Sequence, residues 1–208
     1  MAYRPTEKTK TRKESRRILL LNCAILQINA GGFSSLTMDN LANSAGIAVG
    51  TVYKYFDSKS LLFVEIFKIL TEKEVSIIRE VAIGCGTPYQ RLNEAIATFS
   101  RRAMHSQKQS YALIFEPVNP MIEIERLKYR KAYAAIFKQI IDEGIAKKEF
   151  IPQPTDLAAT AIVGIIAEVL IRPLTQDENT HIENTLIENT LIEKIQEFCI
   201  RALTIRQL

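Results

Sequence analysis

The chain has 208 residues and a formal net charge of +4, a length that suits one larger domain or a small domain fused to a larger one. Its three cysteines are odd in number and far apart, and no pair has metal-ligand spacing, which argues against a zinc site and fits a reducing compartment. With two histidines and no glycine-rich phosphate loop or nucleophile elbow, the sequence argues against an enzyme and predicts neither a metal nor a cofactor.

The N-terminal segment concentrates the positive charge of the chain. Residues 1–17 hold seven basic and two acidic side chains, so the rest of the chain is close to neutral. We expect residues 1–13 to form a flexible basic arm that attaches to the DNA backbone, with Arg12, Lys13 and Arg16 as contacts. The alternative is a solubilising tail. Glu7 and Glu14 argue against an organellar transit peptide.

The segment 37–59 predicts two short helices separated by a tight turn. Thr37 can cap the first helix, and Gly46 permits the reversal of the chain. The second helix begins near Val49 and turns Val52 and Phe56 inward, because these residues are four positions apart. The residues left on the outer side, which could enter a major groove, are Val49, Gly50, Thr51, Lys54 and Tyr55.

A third helix is predicted to follow at once. Asp57 or Ser58 can cap it, it opens with Lys59, and it continues to about Ala82. Its N-terminus would attract a phosphate group. A pair of packed helices in another all-helical protein has the same turn spacing, so the spacing alone leaves both interpretations open.

The residue types at these positions resemble the N-terminal signature of the TetR (tetracycline repressor) family of bacterial transcription regulators. The resemblance covers about residues 16–67 without gaps. The matching residues are Gly32, Phe33, Thr37, Ala45, Gly46, Gly50, Thr51, Tyr53, Lys54, Phe56, Ser58 and Lys59. The family frame implies a three-helix DNA-binding domain over residues 14–59.

The resemblance also implies a role for individual residues. Thr37, Tyr53 and Lys59 would contact phosphates, and base edges would be approached by Val49, Thr51, Lys54 and Tyr55. Ala48 departs from the pattern, because the family usually carries Ser or Thr there as a helix cap and phosphate contact.

Beyond residue 82 the chain predicts further helices and no strand. Glycine and proline residues place the helices at Pro88 to about Ser106, around Tyr111, at Met121 to Glu143, at Thr155 to Arg172 with Pro173 as its end, and at about 182–205. The predicted fold is all-α, with a helical ligand-binding and dimerisation domain over 60–208. A five-residue repeat within 178–192 fits a slippage-type duplication better than a functional motif.

The penultimate helix is apolar on nearly every side, so a monomer would struggle to cover it. The resemblance implies a homodimer formed by the last two helices. The residues predicted at this interface are Ala161, Ile165, Val169, Leu191, Ile195, Phe198 and Ala202. The alternative is that this helix is the centre of a monomeric bundle.

A ligand pocket is predicted within the helical body. Its candidate lining is Phe67, Tyr89, Leu92, Ile96, Phe99, Tyr111, Phe115, Met121, Tyr133, Phe137, Glu168 and Arg172. The aromatic and methionine residues are equally consistent with ordinary core packing. Arg102 is a further polar exception, near the end of an otherwise apolar helix. Such a lining predicts a largely apolar or aromatic ligand.

The expected function is a ligand-responsive transcription regulator, specifically a repressor that a small inducer releases from a pseudo-palindromic operator. Its expected partners are double-stranded DNA, a second copy of the chain and the inducer. The longest apolar stretch, Leu157 to Ile171, is interrupted by Glu168 and is short for a bilayer span, so we expect a cytoplasmic protein. The alternative is a helical adaptor that uses the helix-turn-helix for protein contact.

Overall fold

A computed structural model describes residues 7–175 and 184–204, and within these ranges it shows nine helices and no strand. The helices are α1 (Glu7–Ser35), α2 (Met38–Ser44), α3 (Val49–Val52), α4 (Lys59–Ala82), α5 (Pro88–His105), α6 (Gln107–Ile114), α7 (Pro120–Ala146), α8 (Thr155–Thr175) and α9 (Asn184–Arg201). The predicted all-α class and the order of its helices are confirmed.

The short N-terminal helices begin at side-chain caps. The Thr37 hydroxyl accepts a hydrogen bond from the Asn40 backbone N–H at 3.0 Å, at the start of α2. Ser58, and not Asp57, caps α4 by accepting from the Leu61 N–H at 3.1 Å. Gly46 has a φ of +63°, a conformation that side chains disfavour, so the predicted turn depends on this glycine.

Two hydrophobic cores share α4. The N-terminal core contains buried residues of α1 to α4, and it also takes in Ala112 and Leu113 of α6 and Ile122 of α7. The body core is formed by the later part of α4 together with α5, α7, α8 and α9. The predicted domain boundary between residues 59 and 60 lies at the start of α4. Because α4 runs unbroken through both cores, the packing has no gap at this boundary.

Helices α1 and α8 extend beyond their predicted boundaries. Helix α1 already begins at Glu7, so residues 7–13 are helical rather than a flexible arm, as the strong helix propensity of lysine, arginine and glutamate allows. Helix α8 continues past Pro173 to Thr175, although the proline has no N–H to bond the carbonyl of Val169. Residues 1–6 and the first part of the repeat, 178–183, lie outside the described residues.

Two helical segments, Thr11–Ser35 and Thr155–Thr175, are long and apolar enough to cross a membrane by length and composition. The second is longer than the apolar stretch Leu157 to Ile171, which we expected to be short for a bilayer span. Both segments place residues in the cores, among them Leu20 and Ile28 of α1 and Leu170 of α8. Core helices of soluble proteins pass the same test, so these segments are weak evidence for a membrane span.

Gly144 permits a close contact near the end of α7. A Cβ atom at this position would lie 2.1 Å from the Phe150 ring, which is 4% exposed. The helix therefore runs past this glycine to Ala146, and the following loop folds Phe150 back onto it.

We expect Gly144→Ala to lower the free energy of unfolding by about 1–3 kcal/mol, because the added methyl group forces Phe150 out of its site. Gly50→Ala is the matched control, since a Cβ there meets nothing within 4 Å. Urea unfolding followed by circular dichroism measures both variants. Equal stability of the two variants would contradict the packing argument.

Candidate nucleic-acid interface and ligand cavity

The two residues predicted to point inward are buried, although α3 ends at Val52 and Phe56 lies in the turn that follows it. Val52 is fully buried and Phe56 is 4% exposed. On the other side Gly50, Tyr53 and Lys54 are exposed. Thr51, Val49 and Tyr55 are half-buried, and the last two pack partly against the N-terminal core. The exposed side of α3 is therefore a polar surface on a fixed apolar base, which is the arrangement of a recognition helix.

Lys59 and Thr37 lie at helix N-termini, where unpaired backbone N–H groups favour a phosphate. Lys59 is exposed as the first residue of α4, and its Nζ lies 5.0 Å from the centre of the Phe63 ring. Thr37 is half-buried at the start of α2. Tyr53 exposes 48% of its surface just after α3.

The basic residues of α1 divide into two groups. Arg12, Lys13 and Arg16 are exposed on the helix surface. Arg17 instead donates to the Glu65 carboxylate at 2.6 Å and lies over the Phe56 ring at 5.2 Å. Arg17 thus fixes α1 against α4. A count of charges in the sequence does not distinguish this structural arginine from the basic residues that stay exposed.

Ala48 is the N-cap residue of α3 and makes no side-chain cap hydrogen bond. Its backbone already has the extended conformation of a cap, with φ −71° and ψ 145°. A hydroxyl at this position would therefore need no change of the backbone.

A cavity of about 80 Å³ lies within the helical body. One face of α4 forms a wall through Phe67, Thr71, Glu74 and Ile78, which recur at helical spacing. The other lining residues are Phe99, Arg102, Ala103, Ser106, Gln109, Ser110, Leu113, Ile114, Arg126, Tyr129, Arg130, Tyr133, Val163 and Ala167. Of the predicted lining, the structure brings together Phe67, Phe99 and Tyr133.

The other predicted pocket residues lie elsewhere. Leu92, Ile96 and Phe137 are buried in the body core, and Tyr111 and Phe115 pack against it. Tyr89, Met121, Glu168 and Arg172 are exposed. Helix α8 turns Val163 and Ala167 toward the cavity, which leaves Glu168 and Arg172 outside. Apolar periodicity shows which residues are buried, but not which buried face borders an empty space.

Two arginines in the cavity wall are held by different partners. Arg102 makes a bidentate ion pair with Glu74 at 2.6 and 2.8 Å, and this hydrogen bonding raises the pKa of Arg102. Arg126 is 8% exposed and donates to the carbonyls of Leu113, Ala112 and Glu116, at 2.9, 3.2 and 2.8 Å. Burial lowers the pKa of the Arg126 guanidinium.

Glu116 joins the body to the first helix. Its carboxylate accepts from the backbone N–H of Phe33 at 2.7 Å and of Ser34 at 2.8 Å. Gly32 has a φ of +74°, and a Cβ there would lie 2.6 Å from the carboxylate. Sequence reasoning missed this contact because its members are more than 80 positions apart.

Helices α8 and α9 carry exposed apolar residues. Leu157 is 68%, Val169 38% and Phe198 61% exposed, and Ala161 and Ala202 are also exposed. Ile195 was predicted at the subunit interface, but it is 3% exposed and lies in the body core. The half-buried residues Leu191 and Ile165 pack against the same core. Within residues 7–175 and 184–204, no three His, Cys, Asp or Glu side chains are grouped as a metal site.

Two family models match the chain. Residues 20–66 match the bacterial regulatory proteins of the tetR family, and residues 85–170 match the tetracyclin repressor-like C-terminal domain. The chain belongs to the TetR family. The members of this family are DNA-binding transcription regulators, and dimers and ligand binding are typical of them.

Curated relatives of this TetR-family chain include repressors. It is 26% identical over 136 residues to the transcriptional repressor KstR of Mycolicibacterium smegmatis, covering 64% of this chain and 66% of that protein. It is 27% identical over 128 residues to KstR2 of Rhodococcus jostii, covering 62% of each. The chain thus spans slightly less than two thirds of the length of these relatives.

Solved structures share the fold. The fatty acid degradation regulator FadR of Bacillus halodurans has a TM-score of 0.74 at 19% identity, covering 89% of this chain and 95% of that one. FadR of Bacillus subtilis in complex with stearoyl-CoA has a TM-score of 0.70 at 20% identity, covering 86% and 96%. At these identities the likeness establishes the fold alone.

We expect Ala48→Ser to raise the free energy of unfolding by about 1 kcal/mol, because the hydroxyl supplies the missing cap of α3. Thr37→Ala is the opposite control, since it removes an existing cap and should cost about 1 kcal/mol. Urea unfolding measures both changes. No gain from Ala48→Ser alongside a loss from Thr37→Ala would show that α3 needs no cap.

Proposed function

We propose that this protein is a homodimeric repressor that binds a pseudo-palindromic operator and is released by a small, largely apolar ligand. The observation that carries the proposal is α4, which begins at the exposed Lys59 of the DNA surface and forms a cavity wall from Phe67 to Ile78. A ligand that moves this wall also moves the helix N-terminus beside the recognition helix α3. Coupling of this kind is expected of a rigid element that belongs to two sites.

The dimer is proposed on the outer face of α8 and α9. Exposed apolar residues rarely gather on a monomer without a partner, and Leu157, Val169 and Phe198 lie on this pair of helices. A Cβ atom added at Gly164 would meet nothing within 4 Å on its own subunit. This glycine therefore leaves room for the close approach of a helix from a second subunit. Two subunits would then present two copies of α3 to successive major grooves.

The size of the cavity supports release by ligand. Its volume of about 80 Å³ is below the roughly 300 Å³ of typical ligand pockets. A ligand of ordinary size therefore enters only if the wall helices separate, and α4 is one of them. The stearoyl-CoA complex of Bacillus subtilis FadR supports an apolar ligand, because that structure shares this fold.

Selection of binding sites from random duplexes tests DNA recognition by the full chain. We expect an enriched sequence with two related half-sites, as a two-fold symmetric dimer requires. Enrichment of a single asymmetric site would contradict the dimeric reader. Failure to bind any duplex at low salt would favour the helical adaptor instead, because phosphate attraction is strongest there.

Lys59→Ala and Thr51→Ala should separate phosphate contact from base contact. We expect Lys59→Ala to weaken selected and scrambled duplexes equally and to reduce the salt slope of binding by about one. Thr51→Ala should chiefly change the preference between sequences, costing about 1–3 kcal/mol on the selected duplex. Fluorescence anisotropy at several salt concentrations measures both. Equal losses on both duplexes from both variants would refute the division of roles.

Phe198→Glu should dissociate the dimer, because it places a carboxylate in the proposed apolar interface. Ile83→Glu is the control, since Ile83 is similarly exposed, at 66%, but directly follows α4 and belongs to neither α8 nor α9. Sedimentation equilibrium should report a dimer for the control and a monomer for Phe198→Glu. A dimer in both cases would move the interface to another face.

A further inference from the structure

Arg126 is a buried cation whose partners are mostly neutral. It lies on α7 in the cavity wall and donates to three backbone carbonyls of the α6 end and the loop that follows. Its one carboxylate partner is Glu123, whose side chain is 45% exposed. These four contacts use four of the five N–H groups that a guanidinium carries. One N–H group of this ion-paired guanidinium is thus not used by these contacts, and the residue that carries it lines the cavity.

The lining of the cavity has an excess of positive charge. Its charged members are Glu74, Arg102, Arg126 and Arg130, and Arg126 is also paired with Glu123, which lies outside the lining. The Glu74 carboxylate is neutralised by its bidentate ion pair with Arg102, and Arg130 is exposed. The remaining wall is largely apolar, with Phe67, Ile78, Phe99, Leu113, Ile114 and Val163. An apolar body with one anionic group is the ligand chemistry that this lining complements.

Arg126 also determines the position of Glu116. The carbonyls that it holds belong to Ala112, Leu113 and Glu116 itself, so the guanidinium orders the end of α6 and the loop. The Glu116 carboxylate then reaches across to the N–H groups of Phe33 and Ser34.

The cavity reaches Phe33 by a second route as well. The ring of Phe33 lies 6.3 Å from that of Phe67 in the cavity wall. Two wall residues are therefore connected to the end of α1. Phe67 contacts the Phe33 ring directly, and Arg126 is connected through Glu116.

We propose that Arg126 receives the anionic group of the ligand and that Glu116 transmits this contact to the DNA-binding domain. The inference rests on the proposed function and specifies the chemistry of its ligand. A carboxylate or phosphate makes stronger hydrogen bonds to a guanidinium than neutral carbonyls do. The ligand thus draws Arg126 from the loop, and the Glu116 contact with Phe33 and Ser34 shifts. Ligand binding and DNA binding favour different states of one loop, as release requires.

A chain-matched pair of probes tests the role of the anion. Octanoate and 1-octanol share an apolar chain and differ in charge. Calorimetry on the full chain should show octanoate binding at least about tenfold tighter than 1-octanol, since a charged hydrogen bond contributes that much. Arg126→Met should abolish the difference. Equal binding of the two probes to the native protein, or no octanoate binding, would overturn the assignment of Arg126.

Glu116→Gln tests the transmission, and it keeps the test informative if Arg126→Met fails to fold. The variant should bind octanoate within about twofold of the native protein, because Glu116 acts outside the cavity. The ratio of duplex Kd values with and without octanoate should fall toward one. A purely structural role of Glu116 would lower the Tm and leave that ratio unchanged, which would overturn the transmission step.

Glu125→Gln is the matched control. Glu125 is another largely buried glutamate of the same region, but it pairs with Lys68 and Lys128 on the surface. It should keep the native ratio. The duplex used is the one selected by the native protein, so a failed selection refutes the proposed function, whereas octanoate calorimetry judges Arg126 independently of DNA.

Discussion

The packing of α4 through both hydrophobic cores is the constraint on which the rest of the structure depends. Its first half buries Leu62, Phe63 and Ile66 against the DNA-binding helices, and its second half buries Val75 and Ile78 in the body. Interiors are packed too densely to bend freely, so a helix held at both ends moves as a unit. In the proposed function, opening of the cavity would therefore displace α3, which a flexible linker between two domains would not do.

A second connection between the helical body and the DNA-binding domain would let the body control the orientation of that domain as well as its position. The Glu116 carboxylate holds the end of α1 by two charge-assisted hydrogen bonds, and Gly32 leaves room for it. Arg126 sets the loop that carries Glu116. With α4 on one side and this loop on the other, the DNA-binding domain is attached to the cavity wall at two points.

Local features made most of the fold predictable from the sequence. Thr37 and Ser58 act as caps through contacts three residues away, and Val52 and Phe56 are inward because of helical spacing. The cavity was predictable only in part, because its α4 wall includes the polar Thr71 and Glu74. The contacts of Arg126 and Glu116 depend on tertiary packing. Arg126 stands in a run of charged residues, the usual pattern of a solvated helix face.

Distances between the two DNA-binding domains of the proposed dimer test the central claim most directly. Asn43 is exposed on α2, so a spin label on Asn43→Cys, with the native cysteines replaced by alanine, reports their separation by double electron–electron resonance. The account predicts that octanoate shifts the label-to-label distance distribution of the protein that keeps Glu116. In the Glu116→Gln variant the distribution should stay unchanged. An identical distribution with and without bound octanoate in the native protein would contradict it.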